Sequence, residues 1–469
     1  MPYFLTLGLL SAIFFTLVIL LWKKTGNMMI VIGMLLLYYW TLAGAWFIIY
    51  DQLTGNAGER WGLHYYSYFD KLFPVALNPD YLRSILYYGI FLISIAGILW
   101  WRAPATKNAS RPKQEPIAVH HGLFILISLV SMAASFLLVR TSILDALHAG
   151  ESIYAYTRLH PNHLFTLHQI ANEVSIISLM AGIAILLNRN SGFLLQGQTG
   201  RPWWLAYGFN FILVVLYLMI LGNKHDLLLG GLIGCFILWR NESGRARLSK
   251  WTVYALMVLL PLMSVDAIRG FTWKNKAMTA TSPAPVVQEK KSAAARVSGI
   301  IDNILFNDEM FAAHMSMYGA VHFKIEPTWG SSVVALSASF VPRAVLPNRP
   351  PDIYAYYTRG IHYHEEQGFT IHHATGWYLN FGWPGVVLGG CCFGWLWSWL
   401  LRRENTPNRR KLWRVFFFLA PYLLAAFIPN FIRSGMEVYK AVLLEGICIP
   451  CLIIFAATLI PPRTKAVQP

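Results

Sequence analysis

The stretch Leu213-Val-Val-Leu-Tyr-Leu-Met-Ile-Leu221 decides the fold class of this chain. Nine apolar residues follow one another, without the polar–apolar alternation that a strand of a membrane barrel shows. Apolar runs of roughly 17–25 residues, long enough to cross a bilayer as a helix, recur along the whole sequence. Because backbone amides in lipid must be satisfied within their own segment, these runs predict transmembrane helices.

The composition supports an all-α, polytopic helical membrane protein. Hydrophobic residues make up 56% of the 469-residue chain and charged residues only 13%, whereas soluble domains are about a quarter charged. We expect the first apolar run to be retained as a helix, because no small-residue cleavage site follows Trp22-Lys23-Lys24. About eleven transmembrane helices are predicted, near 3–22, 28–50, 83–101, 119–139, 164–187, 203–222, 226–240, 250–268, 381–401, 412–430 and 438–459.

The chain order predicts three segments: N-terminal transmembrane helices over 1–268, a large external loop over 269–380, and C-terminal transmembrane helices over 381–469. A structureless loop of that length is improbable, so the loop should fold against the membrane domain. Within it we predict an amphipathic helix near 296–323. Residues 141–163 read as a second, interfacial helix. Pairs such as Gly390 and Gly394 predict close helix packing.

The distribution of basic residues predicts the orientation of the chain. The formal charge is +16, and 20 of the 38 Lys and Arg residues fall in the short loops and tail that share one side of the predicted helices. By the positive-inside rule that side is cytoplasmic, as is the C-terminus. The loop 269–380 then faces outward. Because membrane orientation explains the excess of basic residues, we do not expect nucleic acid as a partner.

Histidine is concentrated on the outer side, which in this orientation carries 12 of the 14. A histidine cluster raises the question of a metal. His362-x-His364 and His372-His373 match no zinc-site spacing, such as HExxH or paired Cys/His. We therefore expect no metal and no cofactor.

Cationic side chains accompany these histidines on the outer side. Lys224, Arg343, Arg349, Arg359 and Arg433 all lie in the long loop or at outer helix ends. The planar guanidinium fork suits a pyrophosphate because it donates two hydrogen bonds to one anion. The alternative is that each side chain reaches toward lipid headgroups.

Aromatic side chains also accumulate in this region, among them Trp377 and Tyr378. They can stack on sugar rings or populate the interface belt of a membrane protein. Glu173 and Glu445 lie inside apolar spans, where a carboxylate is costly unless it is paired or solvated. Either could be a general base or half of a structural ion pair.

Three segments resemble bacterial oligosaccharide repeat-unit polymerases, the O-antigen polymerase (Wzy) family. Phe340–Pro350, with its Pro-Arg and Arg-Pro dipeptides, is similar to a segment of their large loop. Ala374–Gly385, with Asn-Phe-Gly, is similar to their entry into the next helix. Gly222–Leu228 is similar to an external turn that usually carries Gly-x-Arg. Here Lys224 replaces the Arg, and Thr375-Gly376 stands where Glu is common.

The resemblance implies a GT-C-like plan and a metal-independent glycosyltransferase in the bacterial inner membrane, with its active site facing the periplasm. A hydroxyl of one lipid-linked repeat unit attacks the anomeric carbon of another, and undecaprenyl pyrophosphate leaves. The bilayer, both lipid-linked glycans, a chain-length regulator and a flippase are the partners it implies. We assign pyrophosphate binding to Arg343, Arg349, Lys224 and Arg433, and the general base to His373 or His372, with Glu173 next. Substrate binding is assigned to Arg359, Trp377, Tyr378 and Asn380.

Three other functions compete with this expectation. An O-antigen ligase uses a similar plan and donor but transfers whole chains to lipid A core. A transporter or flippase of lipid-linked glycans would need polar residues at the bilayer midplane, whereas here they gather at the outer edge. A non-catalytic assembly subunit would tolerate neutral substitution of Arg343 and Arg349.

Overall fold

The structure is a computed structural model. It describes residues 2–54, 77–105, 116–160, 164–188, 193–196, 201–239, 245–269, 308–339, 346, 353–362, 370–404, 410–436 and 438–460. Every regular element over these residues is helical except two short strands, β1 (Ile117–His120) and β2 (Phe193–Gln196), which pair in parallel. The predicted all-α class is therefore confirmed.

Eight helical stretches among the described residues are long and apolar enough to cross a membrane. They are Pro2–Thr25, Met28–Tyr50, Pro79–Arg102, His121–Ala149, Leu167–Leu187, Pro202–Ile220, His373–Glu404 and Val438–Ala456. The polytopic prediction is confirmed by them. Exposed leucines such as Leu205 (75%) and Leu9 (64%) lie on these helices, as expected of side chains that face lipid.

The other three predicted spans are also helical, but each is too short, or has too short an apolar stretch, to count among the membrane-crossing helices. Lys224–Trp239 and Lys411–Ala426 have 16 residues each. Arg245–Arg269 has 25 residues, of which Thr252–Leu262 forms the apolar part.

The described chain divides into two compact units that do not follow chain order. Unit 1 combines Met1–Arg111, Ser292–Pro407 and Phe427–Leu444, and unit 2 combines Pro112–Lys291, Asn408–Ala426 and Glu445–Pro469. Each unit thus draws on parts of the chain on both sides of the loop 269–380.

Unit 1 contains ten helices among its described residues. They are α1 (Pro2–Thr25), α2 (Met28–Tyr38, continued by a π-helix over Tyr39–Ala43), α3 (Gly44–Thr54), α4 (Pro79–Arg102), α11 (Asp308–His322), α12 (Ser331–Ser339), α13 (Ile353–Gly360), α14 (His373–Glu404), α16 (Ile428–Ile432) and α17 (Val438–Ala441). The most extensive pairing in this unit joins α4 to α14.

Glycines on α14 allow its close approach to α4. A β-carbon at Gly390 would lie 2.6 Å from the Phe91 carbonyl oxygen, and one at Gly394 would lie 2.8 Å from the Ile95 carbonyl oxygen. The obstructing atoms belong to the backbone, which cannot move aside as a side chain can. The packing role predicted for this glycine pair is therefore confirmed.

Helix α14 bends at the Asn-Phe-Gly-Trp-Pro sequence. Gly382 has φ +66° and ψ −155°, a conformation open to glycine and strained for other residues, and Pro384 follows it. The segment from His373 to Asn380, before the bend, belonged to the predicted external loop. The predicted start of the span at residue 381 thus coincides with the bend.

Helix α11 replaces the predicted amphipathic helix in the part of the loop that the structure describes. It covers Asp308–His322, while 296–307 and the low-complexity stretch of the loop lie outside the described residues. Side chains from Met310 to Val321 are buried on every face. The prediction of an amphipathic helix is wrong over these residues, because α11 is surrounded by protein and exposes no face.

Unit 2 contains α5 (His121–Ala149), α6 (Ile153–Leu159), α7 (Phe165–Leu187), α8 (Arg201–Ile220), α9 (Lys224–Trp239), α10 (Arg245–Arg269), α15 (Lys411–Ala426) and α18 (Ile449–Ala456). A π-helix over Val442–Cys448 precedes α18 and begins in unit 1, since unit 2 resumes at Glu445. The predicted interfacial helix at 141–163 is wrong in its first part, because α5 continues unbroken to Ala149 and ends at Gly150 in the left-handed conformation.

Hydrogen bonds between α5 and α7 hold unit 2 together. The Ser175 hydroxyl donates to the Ser128 carbonyl oxygen (2.9 Å), and the Ser178 hydroxyl donates to the Phe124 carbonyl oxygen (2.7 Å). Small hydroxyl residues of this kind join helices closely in apolar surroundings.

We expect Gly390→Ala and Gly394→Ala each to lower the stability of the protein by about 1–3 kcal/mol, because the added methyl group overlaps the backbone of α4. Thermal unfolding of the detergent-solubilised protein measures this. Gly97→Ala is the matched control, since a β-carbon at Gly97 would meet nothing within 4 Å. Equal melting temperatures for all three variants would contradict the close approach.

Candidate functional site

His372 directly precedes α14, and its side chain caps the first turn of that helix. The Ala374 N–H donates to His372 Nδ1 (3.0 Å), so Nε2 carries the proton and donates to the Thr41 hydroxyl (3.2 Å). The ring is fully buried and meets the Tyr88 ring edge to face. Both ring nitrogens are thus occupied by protein groups, which is typical of a residue that caps a helix.

His373 is held in the opposite tautomer. Trp377 Nε1 donates to His373 Nε2 (3.0 Å), so Nδ1 carries the proton and faces the carbonyl oxygens of Ser434 and Gly435 (3.3 Å each). The Tyr439 hydroxyl lies 3.3 Å from the same Nε2. In this tautomer Nε2 is the nitrogen that carries the lone pair, and it accepts the Trp377 N–H. We call His373, Trp377, Tyr439 and the Ser434-Gly435 turn the His373 cluster.

Arg433 lies next to the turn whose carbonyl groups hold His373. It ends α16, and its side chain is half-buried. The turn also approaches α14 closely, because a β-carbon at Gly376 would lie 2.9 Å from Gly435 Cα. The Gly435 N–H donates to the Tyr354 hydroxyl (3.2 Å). Arg433 thus directly precedes, in the chain, the turn whose carbonyl groups contact His373.

An apolar cavity of about 620 Å³ adjoins the His373 cluster. Trp377 and Tyr439 form one part of its wall, and apolar side chains of α12 and α14 form most of the rest. They include Val333, Leu336, Cys391 and Trp395. A space of this volume and lining accommodates a hydrocarbon chain or another apolar group.

The side chain of Asn380, a predicted substrate-binding residue, is bonded to protein groups. Its amide group donates to the Gly376 carbonyl oxygen (2.7 Å), and its oxygen accepts from the Ser332 N–H (3.1 Å) and the Thr328 hydroxyl (3.4 Å). These bonds tie α12 to α14. Asn380 therefore supports the cavity wall.

Two other predicted substrate-binding residues lie elsewhere in unit 1. The Tyr378 ring packs against Tyr87 with centroids 5.4 Å apart. Arg359 is exposed in the last turn of α13, the helix that carries Tyr354.

Arg343 and Arg349, the principal predicted pyrophosphate-binding residues, lie outside the described residues, as do His364, Glu365 and Glu366. The described helix α12 ends at Ser339, four positions before Arg343 in the sequence. The Ser339 carbonyl oxygen accepts a hydrogen bond from Lys440 Nζ (2.8 Å), next to Tyr439. The described chain thus reaches the neighbourhood of the His373 cluster shortly before Arg343.

Glu173 and Lys224 belong to unit 2. Glu173 is 4% exposed and lies on α7, and Lys224 is half-buried at the first position of α9. Ligand-type atoms of Glu173, His225 and Asp226 lie within 4.8 Å of one another. We call these three residues the Glu173 cluster. It is the one group of potential metal ligands found among the described residues.

A buried polar layer beside the His373 cluster contains residues that the sequence analysis missed. His314 Nδ1 donates to the Thr41 carbonyl oxygen (2.9 Å), and the Tyr81 hydroxyl donates to His314 Nε2 (3.0 Å). The Tyr88 hydroxyl donates to the His314 carbonyl oxygen (2.8 Å). Tyrosines in apolar helices are also common in the membrane interface, so no sequence signal distinguished Tyr81, Tyr88 or Tyr439.

Comparison with models of known protein families, with curated proteins and with solved structures finds no match to this chain. Its function has to be argued from its own residues.

We expect His314→Gln to weaken the acid sensitivity of the protein. Burial lowers the pKa of His314 from 6.5 to about 4. The unfolded chain therefore binds a proton that the folded chain does not, and stability present above pH 6.5 is lost as the pH falls toward 4, by on the order of 3 kcal/mol. Thermal unfolding at pH 7.5 and 5 measures the difference. The exposed His148→Gln is the control, and parallel pH dependences of wild type and His314→Gln would refute this role.

Proposed function

We propose that this chain is a glycosyltransferase of the bacterial inner membrane that polymerises oligosaccharide repeat units linked to undecaprenyl pyrophosphate. Transfer takes place at the periplasmic face and releases undecaprenyl pyrophosphate. The observation that carries the proposal is the His373 cluster, in which a basic imidazole nitrogen adjoins an apolar cavity and an arginine-bearing turn. The likeness of residues 340–390 to repeat-unit polymerases supports the same conclusion.

The first requirement of this reaction is a base for the attacking hydroxyl. The His373 ring is fully buried, so the substrate proton reaches it through Tyr439, whose hydroxyl touches Nε2 and whose side chain lines the cavity. The Trp377 N–H releases His373 Nε2, and the acceptor hydroxyl gives its proton to Tyr439 Oη as the Tyr439 proton passes to the freed Nε2. The two backbone carbonyl groups at Nδ1 orient the ring and stabilise the imidazolium that forms.

The second requirement is stabilisation of the leaving group. As the acceptor oxygen bonds to the anomeric carbon, the bond from that carbon to the pyrophosphate oxygen breaks, and its electron pair stays with the pyrophosphate. Guanidinium groups neutralise this charge without a metal. We assign Arg433, which precedes the Ser434-Gly435 turn of the His373 cluster, to this anion together with Arg343 and Arg349. The apolar cavity suits part of the polyprenyl chain.

His373 is a better base than the two alternatives. His372 is bonded to Ala374 and Thr41, neither of which lines the cavity, whereas His373 Nε2 lies beside Tyr439, which does. Glu173 lies in unit 2 within a different cluster. Lys224 also belongs to unit 2, and its assignment to the pyrophosphate remains a prediction from the sequence.

We expect purified wild-type protein to convert a defined undecaprenyl-pyrophosphate repeat unit into a ladder of products. Arg343→Ala, Arg349→Ala and His373→Gln should each slow ladder formation by roughly 100-fold or more, because they remove the anion clamp or the base. Arg83→Ala is the matched control, since Arg83 is exposed (63%) and forms a surface pair with Asp80.

No ladder from folded wild-type protein with its cognate substrate would refute the polymerase proposal. The same preparation would then be tested for ligation to lipid A core and, in liposomes, for flipping of lipid-linked glycan. Full activity of the arginine variants would favour a protein that assists assembly without catalysing it.

We expect Tyr439→Phe to lower kcat by roughly 100-fold while KM changes little, because the hydroxyl relays the proton but does not hold the lipid-linked donor. Single-turnover and steady-state rates of the same assay measure the split. Tyr356→Phe is the control, as its hydroxyl bonds the Glu326 carbonyl oxygen away from the cluster. An unchanged kcat in Tyr439→Phe would rule out the relay.

A further inference from the structure

Glu173 has a buried carboxylate that the proposed transfer reaction does not use. Its side chain is 4% exposed, and Oε2 has no hydrogen-bond partner in the described part of the chain. An ionised carboxylate withdrawn from water is costly unless a charge or hydrogen-bond donors compensate for it. The orphaned oxygen therefore points to a missing partner.

The local fold of α9 places two further ligand groups beside this carboxylate. The chain turns at Gly222, which has φ +67°. The Asn223 side chain then forms hydrogen bonds with Asp226 in the first turn of α9. Asn223 Nδ2 donates to Asp226 Oδ2 (2.6 Å), and His225 Nδ1 lies 3.2 Å from Asp226 Oδ1. Asp226 is 2% exposed. Hydrogen bonds of this kind orient ligand side chains before a metal binds.

The carboxylates around Glu173 are a second reason to expect a bound cation. Asp226 and Glu445 both lie near enough for their negative charges to act on Glu173. Glu445 stands in the π-helix Val442–Cys448, an element that is frequent at functional sites. The other titratable side chains in this part of unit 2 are His168, Tyr217 and Lys224. Three carboxylates gathered in an apolar surrounding repel one another unless a cation or a shared proton intervenes.

We propose that Glu173, His225 and Asp226 bind a divalent transition-metal ion of the Mn²⁺ or Zn²⁺ class. The three ligand-type atoms lie within 4.8 Å of one another, close enough for one ion to contact all of them. One imidazole nitrogen with two carboxylates suits these ions, whereas Ca²⁺ and Mg²⁺ prefer oxygen ligands alone. This ion is separate from the pyrophosphate chemistry, which guanidinium groups carry.

The inference goes beyond the proposed transferase activity and does not rest on it. The test measures the metal content of the protein, so its outcome is independent of whether a product ladder forms.

The experiment begins with full-length protein purified in detergent, stripped with chelator and equilibrated with Mn²⁺ or Zn²⁺. After removal of free metal, elemental analysis gives the ions retained per chain, and the electron paramagnetic resonance spectrum of Mn²⁺ gives its affinity. We expect the wild type to retain one ion per chain. Glu173→Gln, His225→Gln and Asp226→Asn should each weaken binding by tenfold or more, on the order of a lost ligand or its supporting bond.

Asp145→Asn and His148→Gln are matched controls, because both side chains are exposed on α5 in the same unit. They should retain the ion. No ion in stripped and re-equilibrated wild type would overturn the proposal, and would favour a proton shared between Glu173 and Asp226. Equal metal content in wild type and all cluster variants would overturn it as well, because the ion would then be held elsewhere. The metal content of the wild type tests the proposal even if a variant fails to fold.

Discussion

A polar atom that leaves water must find a partner inside the protein, and the described structure follows this constraint closely. Lipid supplies no hydrogen bonds, so the backbone is helical almost throughout. Three buried histidines of unit 1 obey the same rule. His314, His372 and His373 are each fixed in one tautomer by specific partners. These bonds join α11, α14 and the π-helix near Thr41 into one layer.

That layer depends on how closely the helix backbones approach one another. Gly390 and Gly394 bring α14 against α4, and Gly376 brings its first turns against the Ser434-Gly435 turn. Gly382 then interrupts the regular helix between the turn that carries His373 and the stretch that carries Gly390 and Gly394. Larger residues at these positions would separate the elements whose side chains meet at His373.

We expect functional sites where a buried polar atom has no protein partner, or where a polar cluster borders a cavity. The His373 cluster satisfies its own hydrogen bonds but adjoins an open apolar cavity, which leaves room for a ligand. The Glu173 cluster leaves a buried carboxylate oxygen without a partner. The two clusters belong to different units and offer different chemistry. One combines a neutral imidazole with a tyrosine hydroxyl, and the other combines an imidazole with two carboxylates.

The sequence by itself determined the helical class and most membrane spans, because apolar runs of bilayer length admit few other structures. It also indicated the glycine packing and singled out His373 and Glu173 as unusual residues. It could not assign roles to adjacent histidines, since His372 and His373 differ only in the partners that folding brings to each. Tyr439, 66 positions from His373 in the chain, and His225 with Asp226, remote from Glu173, became neighbours only through helix packing. Pairings between distant segments depend on long-range contacts, which local residue patterns do not encode.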